Sequence, residues 1–255
     1  MELKDQPIVI TGGASGIGAG TAQYLHKAGA KLALWDMNKE GLKAMADELG
    51  CATAQCDVTD EASVQSALDT TIKAIGTPRA LIQCAGILPA KKLIDKEGNP
   101  ADLKHFETGL KVNVTGTYNV MRIVAAAMSK ADALNADGEK GSIINVASIA
   151  AYEGQIGQIC YSATKGAVVG MTLPAARELA QHGIRMMAIA PGVVETPMIA
   201  GLPEHIQDAL KDMAPFPKRL CQPEEFAKLC QQIIENPMLN GSVIRLDGAV
   251  RLAAK

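Results

Sequence analysis

The segment "PIVITGGASGIGAG" (residues 7–20) runs from an apolar stretch through a glycine-rich turn into a helical pattern. "PIVIT" (7–11) is short, apolar and closed by glycine, which reads as a buried strand. The pattern that follows reads as a helix to about Ala28. Between them stand Gly12, Gly16 and Gly18. Gly12 suits the tight turn, Gly16 lets a backbone approach a phosphate without a Cβ in the way, and Gly18 lets the helix lie close on the strand. A helix that starts there offers unpaired N–H groups and a partial positive charge to an anion. The spacing is GxxxGxG, and the strand–turn–helix setting gives the glycines their meaning.

Outward from this unit the same alternation continues. "KLALWD" (31–36) reads as a second strand, "ATAQCDV" (52–58) as a third, "RALIQCAG" (79–86) as a fourth and "GSIINVAS" (141–148) as a fifth. "IRMMAIAPG" (184–192) and "GSVIRLDG" (241–248) read as the sixth and seventh. Helical patterns over 39–49, 61–75, 103–129 and the stretch carrying Tyr161 lie between them. Continuously apolar strands separated by helices predict a parallel sheet covered on both faces. Right-handed crossovers then give a doubly wound, Rossmann-type α/β fold with helices on both faces. We read residues 1–255 as one domain. Polar segments near 89–106 and 129–141 read as surface insertions, and the Pro-rich connection 193–226 as a substrate lid.

Composition narrows the function. The chain has 255 residues, 48% hydrophobic and 20% charged, with a formal net charge of −2, so it lacks the basic footprint of a nucleic-acid binder. No segment is apolar enough for a membrane span, and the N-terminus lacks a signal-peptide layout. The six cysteines contain no CxxC and no Cys/His cluster of metal spacing, which predicts reduced thiols, no metal site and a cytoplasmic setting. Aromatics are only 3%, so an aliphatic core is expected. His26, His105, His182 and His205 have no paired acid at useful spacing and are expected at the surface or in packing.

Several residues point to chemistry. The second strand ends on Asp36, where a carboxylate can accept hydrogen bonds from the ribose hydroxyls of NAD and would repel the 2′-phosphate of NADP. "YSATK" places Tyr161 and Lys165 four apart, on one helix face. A tyrosine near its usual pKa of about 10 is a poor base. A neighbouring ammonium and the positive nicotinamide of an oxidised cofactor would favour the phenolate. Ser148 ends the fifth strand, and ligands sit at strand C-termini in this architecture. Asn113 interrupts an otherwise apolar helical pattern. Gln155, between Ser148 and Tyr161, is a candidate for bonding a substrate carbonyl. Lys91, Lys92, Lys96 and Lys104 form a loose basic cluster that could steer a phosphorylated substrate.

"TGGASGIG", "CAG" (84–86), Asn113, Ser148, "YSATK" and "PG" (191–192) occur in the order that resembles the short-chain dehydrogenase/reductase family. The resemblance implies a catalytic set of Asn113, Ser148, Tyr161 and Lys165, with Asn113 holding a water that passes the proton to solvent. It implies NAD contacts from Gly12, Ser15, Gly16, Ile17, Gly18 and Asp36, with Asp57 and Val58 bracketing the adenine. Cys84, Ala85 and Gly86 would line the cleft, and Tyr161 and Lys165 would reach the nicotinamide ribose. Pro191, Gly192, Val194 and Thr196 would follow the cofactor's far side, with Thr196 at the carboxamide. Ser148, Gln155 and Tyr161 would face the substrate. Gln83-Cys84 stands where the family usually has Asn-Asn.

A longer likeness, through "PFPKRL", "IIENPMLNG" and "VIRLDGAVR", is to family members that oxidise short 3-hydroxyacyl-CoA thioesters. It implies an NAD-dependent homotetramer. The apolar residues Met198, Ile199, Leu202 and Pro203 of the 193–226 connection could cover an acyl chain. Steroids or other secondary alcohols remain alternative substrates. A non-catalytic NAD-binding scaffold remains an alternative class, one that has no need of Ser148, Tyr161 and Lys165 together.

Overall fold

In the computed structural model of the chain, residues 1–201 and 203–254 are described, apart from the side chains of Met198 and Ile206. Seven strands form one parallel sheet in the order β3-β2-β1-β4-β5-β6-β7. They are β1 (Pro7–Thr11), β2 (Lys31–Asp36), β3 (Ala52–Gln55), β4 (Ala80–Gln83), β5 (Gly141–Val146), β6 (Ile184–Pro191) and β7 (Val243–Leu246). The strand order reverses between β1 and β4, so the loops that follow these two strands diverge and open a crevice at the sheet's C-terminal edge.

The core is split by the sheet, because successive strand residues face opposite sides. Ile8, Ile10, Leu34 and Met187 join one cluster, with Leu25 of α1 (Gly16–Lys27) and Phe226 and Ile233 of α9 (Pro223–Glu235). Val9, Trp35, Ile143 and Met186 join the other. There they meet Leu68 of α3 (Glu61–Ile75), Val124 and Met128 of α5 (Thr117–Ser129) and Ala176 of α6 (Ile159–Ala180). The aliphatic core includes two large aromatics, Trp35 and Phe226, both fully buried. Trp35 Nε1 donates to Thr71 Oγ1 at 2.9 Å, so its one polar atom is satisfied.

The strands are shorter than the sequence pattern predicts. β3, β4 and β5 end at Gln55, Gln83 and Val146, which leaves Asp57, Val58, Cys84 to Gly86 and Ser148 in the loops beyond them. The backbone leaves the ladder at those points, although the strand-like sequence pattern continues. The helix expected over 103–129 is interrupted: α4 (Leu103–Leu110) and α5 are joined by a π-helical turn, Lys111–Gly116. The insertion 89–106 is a turn closed by an Ile94–Pro100 bridge before α4 begins. The long connection after β6 carries α7 (Pro197–Ala200) and α8 (Glu204–Asp212). It returns to the sheet edge by a bridge between Val194 and Cys221. A short helix α2 (Lys39–Leu49), capped by Asn38, follows β2.

Candidate active site

The crevice between β1 and β4 is tight by construction. Gly12 has φ +65°, and a Cβ there would lie 2.7 Å from Ala85 N, so the loops after β1 and β4 touch through glycine alone. Thr11 ties them further: its carbonyl accepts from Cys84 N at 3.1 Å and its hydroxyl from Ala85 N at 3.2 Å. A Cβ on Gly18 would fall 2.1 Å from Gly12 O, which is the close helix-to-strand contact its type predicts. Ser15 occupies the N-cap of α1 without using its side chain as a cap, so the first amides of that helix face the crevice uncapped. Ile17 turns into the core and can present only backbone.

Asp36 is fixed against this loop: Oδ2 accepts from Ala14 N at 3.1 Å and Oδ1 from Asn38 N at 2.9 Å. Each carboxylate oxygen keeps a further lone pair for a hydroxyl donor. Asp57 Oδ1 accepts from Thr59 N and its hydroxyl, and Val58 O accepts from Asn119 Nδ2 at 2.9 Å, which fixes the loop after β3. Across the crevice, Thr196 stands at the N-terminal end of α7 without a side-chain capping bond, and its Cγ2 lies 3.5 Å from where a Gly16 Cβ would be. The structure thus brings Thr196 over the glycine loop. Pro191 and Val194 are buried, and Gly192 lies against Asp247. A cradle whose floor admits no Cβ, a helix N-terminus and a rim carboxylate fit the pyrophosphate and ribose of a dinucleotide.

The second half of the site gathers at the ends of β5 and α6. Ser148 is buried, and its Oγ accepts from Ala150 N at 3.1 Å in a short 3₁₀ turn. Tyr161 and Lys165 lie one turn apart, with Lys165 Nζ 5.7 Å from the Tyr161 ring centre. Lys165 is 7% exposed and donates to Val146 O at 2.7 Å. Burial pushes its pKa down to about 8. Burial also raises the Tyr161 phenol, against an opposing hydrogen bond with the Ser148 side chain. In the chain alone desolvation is the largest influence on both groups, raising the phenol and lowering the ammonium.

Asn113 lies in the π-helical turn and its amide is fully engaged. Oδ1 accepts from Ile87 N at 2.8 Å, while Nδ2 donates to Ile87 O at 2.8 Å and Thr164 Oγ1 at 3.1 Å. Both N–H donors of its side chain are thus spent on protein. Its carbonyl accepts from Thr117 Oγ1 at 2.8 Å. Gln83 Nε2 donates to Thr117 O and to Asn145 Oδ1, so the unusual Gln83 braces the π-turn from inside the sheet. A Cβ on Gly86 would meet Asn113 Oδ1 at 3.2 Å, with Lys165 Nζ 3.8 Å away. Cys84 is a neutral thiol in this setting, its pKa pushed up to about 12 by burial.

Gln155 is half-buried, and its Nε2 donates to Ala253 O at 3.3 Å, so one of its two donors serves the C-terminal segment. Lys91, Lys92, Lys96 and Lys104 are exposed, and Lys91 N donates to Gly157 O at 2.8 Å, which sets the insertion against the loop before α6. Ile199 is half-buried and Pro203 exposed, whereas Leu202 and the Met198 side chain lie outside the described residues. His26, His182 and His205 are exposed and His105 is half-buried. Sequence reasoning missed Thr164 and Thr117, which hold Asn113, and the Val146 carbonyl, which holds Lys165. Thr164 was legible as the residue before Lys165, but nothing in its type announced a partner 51 positions away. Among the described residues no group of three His, Cys, Asp or Glu could hold a metal, and no helix is long and apolar enough to cross a membrane.

The family described as short chain dehydrogenase matches residues 6–207. The human protein named 3-hydroxyacyl-CoA dehydrogenase type-2 is 49% identical over 253 residues, 98% of this chain and 97% of its own. A crystal structure of 3-hydroxyacyl-CoA dehydrogenase type-2 from Mycobacterium avium superposes with a TM-score of 0.94 at 37% identity, covering 100% of both chains. One of 3-ketoacyl-(acyl-carrier-protein) reductase from Brucella melitensis, complexed with NADH, gives 0.84 at 27% identity over 98% of this chain and 100% of its own.

Proposed function

The chain belongs to the short-chain dehydrogenase family and is an oxidoreductase; from that premise we propose that it interconverts short 3-hydroxyacyl-CoA and 3-ketoacyl-CoA with NAD. The observation that carries this reading is Tyr161, Ser148 and Lys165 at the end of a cleft floored by Gly12 and Gly86. The substrate class rests on the likeness to proteins named for 3-hydroxyacyl-CoA. A non-catalytic scaffold would have no use for the three side chains together.

The dinucleotide would be held by the loop Gly12–Gly18, with Ser15, Gly16 and the Ile17 and Gly18 amides at the pyrophosphate. Asp36 would take the ribose, and Asp57 and Val58 the adenine. Cys84 to Gly86, Pro191, Gly192, Val194 and Thr196 would close its far half. When bound, nicotinamide supplies the carbon that gives or takes the hydride and, oxidised, a positive charge. In oxidation Tyr161 takes the proton of the substrate hydroxyl as the carbinol carbon loses hydride, and in reduction it returns that proton. Ser148 donates to the reacting oxygen and holds it against the phenol. Lys165, anchored on Val146 O, keeps its ammonium beneath the Tyr161 ring. Asn113 shapes the floor by clamping Ile87, and any water relay would start from its carbonyl. Positioned proton transfer of this kind contributes about 100- to 10,000-fold.

NAD is favoured over NADP because the fixed Asp36 carboxylate would meet a 2′-phosphate as a like charge. Exposed apolar residues such as Tyr118 on α5 and Leu173 on α6 support burial of these helices in a homotetramer. All six cysteines are free, which supports a reducing, cytoplasmic compartment. Residues 1–255 act as one unit, with 193–226 covering the substrate. The lysines of the insertion offer a direct test of the CoA assignment. Lys91→Ala with Lys92→Ala should raise KM for acetoacetyl-CoA and leave a CoA-free ketone nearly unchanged. Added salt should mimic the change, since exposed charges are screened over about 10 Å at 0.1 M. A rise in KM for both substrates alike would contradict CoA steering.

A further inference from the structure

The segment between Ser148 and Tyr161 is a loop, and a loop can position substrate only if something holds it. On one side it is tied to the insertion by the Lys91–Gly157 backbone bond. On the other it is tied to the end of the chain. Glu153 receives a bidentate pair from Arg245 of β7, Nη1 at 2.7 Å and Nη2 at 2.9 Å. Arg245 Nε also donates to Asp247 Oδ2 at 2.7 Å, and its Nη2 to Val250 O at 3.0 Å. Arg251 closes the group against Glu153 and Asp247. The Tyr152 ring covers the Arg245 guanidinium at 5.2 Å. Just beyond, Ile156 N donates to Ala254 O at 3.0 Å and Gln155 Nε2 to Ala253 O. The same segment packs Val250 and Leu252 against Ile149, next to Ser148, and against Met213 and Ala214 at the end of the lid.

We propose that the Glu153–Arg245 pair is a positioning element that clasps residues 152–158 onto residues 247–254 and so sets the substrate-facing side of the site. This rests on the reading of Ser148 and Tyr161 as residues at the reacting centre. A bidentate guanidinium–carboxylate bond fixes both distance and plane, which a single point charge cannot do. Both partners are only about one quarter exposed, 23% and 26%, and the network has four members, so it is better placed to matter than an isolated surface pair. The hydrogen bonds and ion pairs of these two residues go to each other, to Asp247, to Arg251 and to Val250 O, not to the glycine cradle or Tyr161. Loss of the clasp should therefore loosen substrate more than cofactor or chemistry.

Four variants test this: Glu153→Gln, Arg245→Lys, Arg245→Met and the double Glu153→Gln/Arg245→Met. KM for acetoacetyl-CoA should rise about tenfold in Glu153→Gln, with kcat and NADH affinity within twofold, and less in Arg245→Lys. The double variant should cost no more than the worse single, as partners in one interaction do. Independently of any activity, hydrogen exchange at the Ile156 amide should quicken in Glu153→Gln while amides of β5 and α6 keep their protection. Unchanged KM with unchanged Ile156 exchange would overturn the clasp. So would a fall in kcat and NADH affinity together with global loss of protection, the mark of a purely structural pair. Failure of the unmodified protein to reduce acetoacetyl-CoA would strike the substrate reading instead, and the exchange measurement would still decide the clasp.

Discussion

Asp36 and Lys165 show how little of a residue's behaviour its type alone conveys. Asp36 was legible as a strand-ending carboxylate, but its two bonds to Ala14 N and Asn38 N are visible only in the fold. Those bonds hold it at the cradle, so Asp36→Ala should weaken NAD binding and narrow the gap to NADP. Binding titrations with both dinucleotides check this, and an unchanged NAD-to-NADP ratio would contradict the assignment. Lys165 was legible by its spacing from Tyr161, whereas the strength of its burial was not. Its pKa falls from an ordinary 10.5 to about 8. Between these values the unfolded chain still holds a proton that the folded chain has released, so stability should rise with pH across that window. The raised Tyr161 pKa acts in the opposite sense only above pH 10. Relative to Lys165→Met, the unmodified protein should gain up to about 1.4 kcal/mol per pH unit from pH 8 to 10. Parallel denaturation curves for the two proteins across that range would rule the account out.

At the scale of elements, periodicity reported what packs and missed what bends. The seven strands and the glycine turn were readable because buried strands are apolar runs and only glycine suits the φ of +65° at position 12. The π-helical turn Lys111–Gly116 was not readable as such. Its sequence shows only an Asn in an apolar helix, while the distant partners around it, Ile87 and Thr164 on Asn113 and Gln83 on Thr117 O, are visible only in the fold. Gly12→Ala should destabilise the protein by at least about 1–3 kcal/mol, through backbone strain alone, before the clash with Ala85 N is counted. Its dinucleotide affinity should fall as well. A thermal melt and an NADH titration measure the two losses, and a variant with normal values for both would show the contact between the β1 and β4 loops to be unimportant.

For the whole molecule, strand order converts a list of separated motifs into one site. The glycine loop, Asn113 and the Ser148–Tyr161 segment are separated in sequence and come together because the strand order reverses between β1 and β4. The Glu153–Arg245 clasp is the clearest case of what sequence cannot supply, since nothing in either segment indicates that residues 92 positions apart are paired. The central claim is that Tyr161 moves the proton in a hydride-transfer reaction on a 3-ketoacyl-CoA. Its most direct test is NADH consumption with acetoacetyl-CoA by the unmodified protein and by Tyr161→Phe, with NADH affinity measured on both. The account predicts turnover by the unmodified protein, a loss of at least about 100-fold in Tyr161→Phe, and equal NADH binding. Near-normal turnover by Tyr161→Phe, or no reduction of acetoacetyl-CoA beside good activity on a steroid or cyclic ketone, would contradict it.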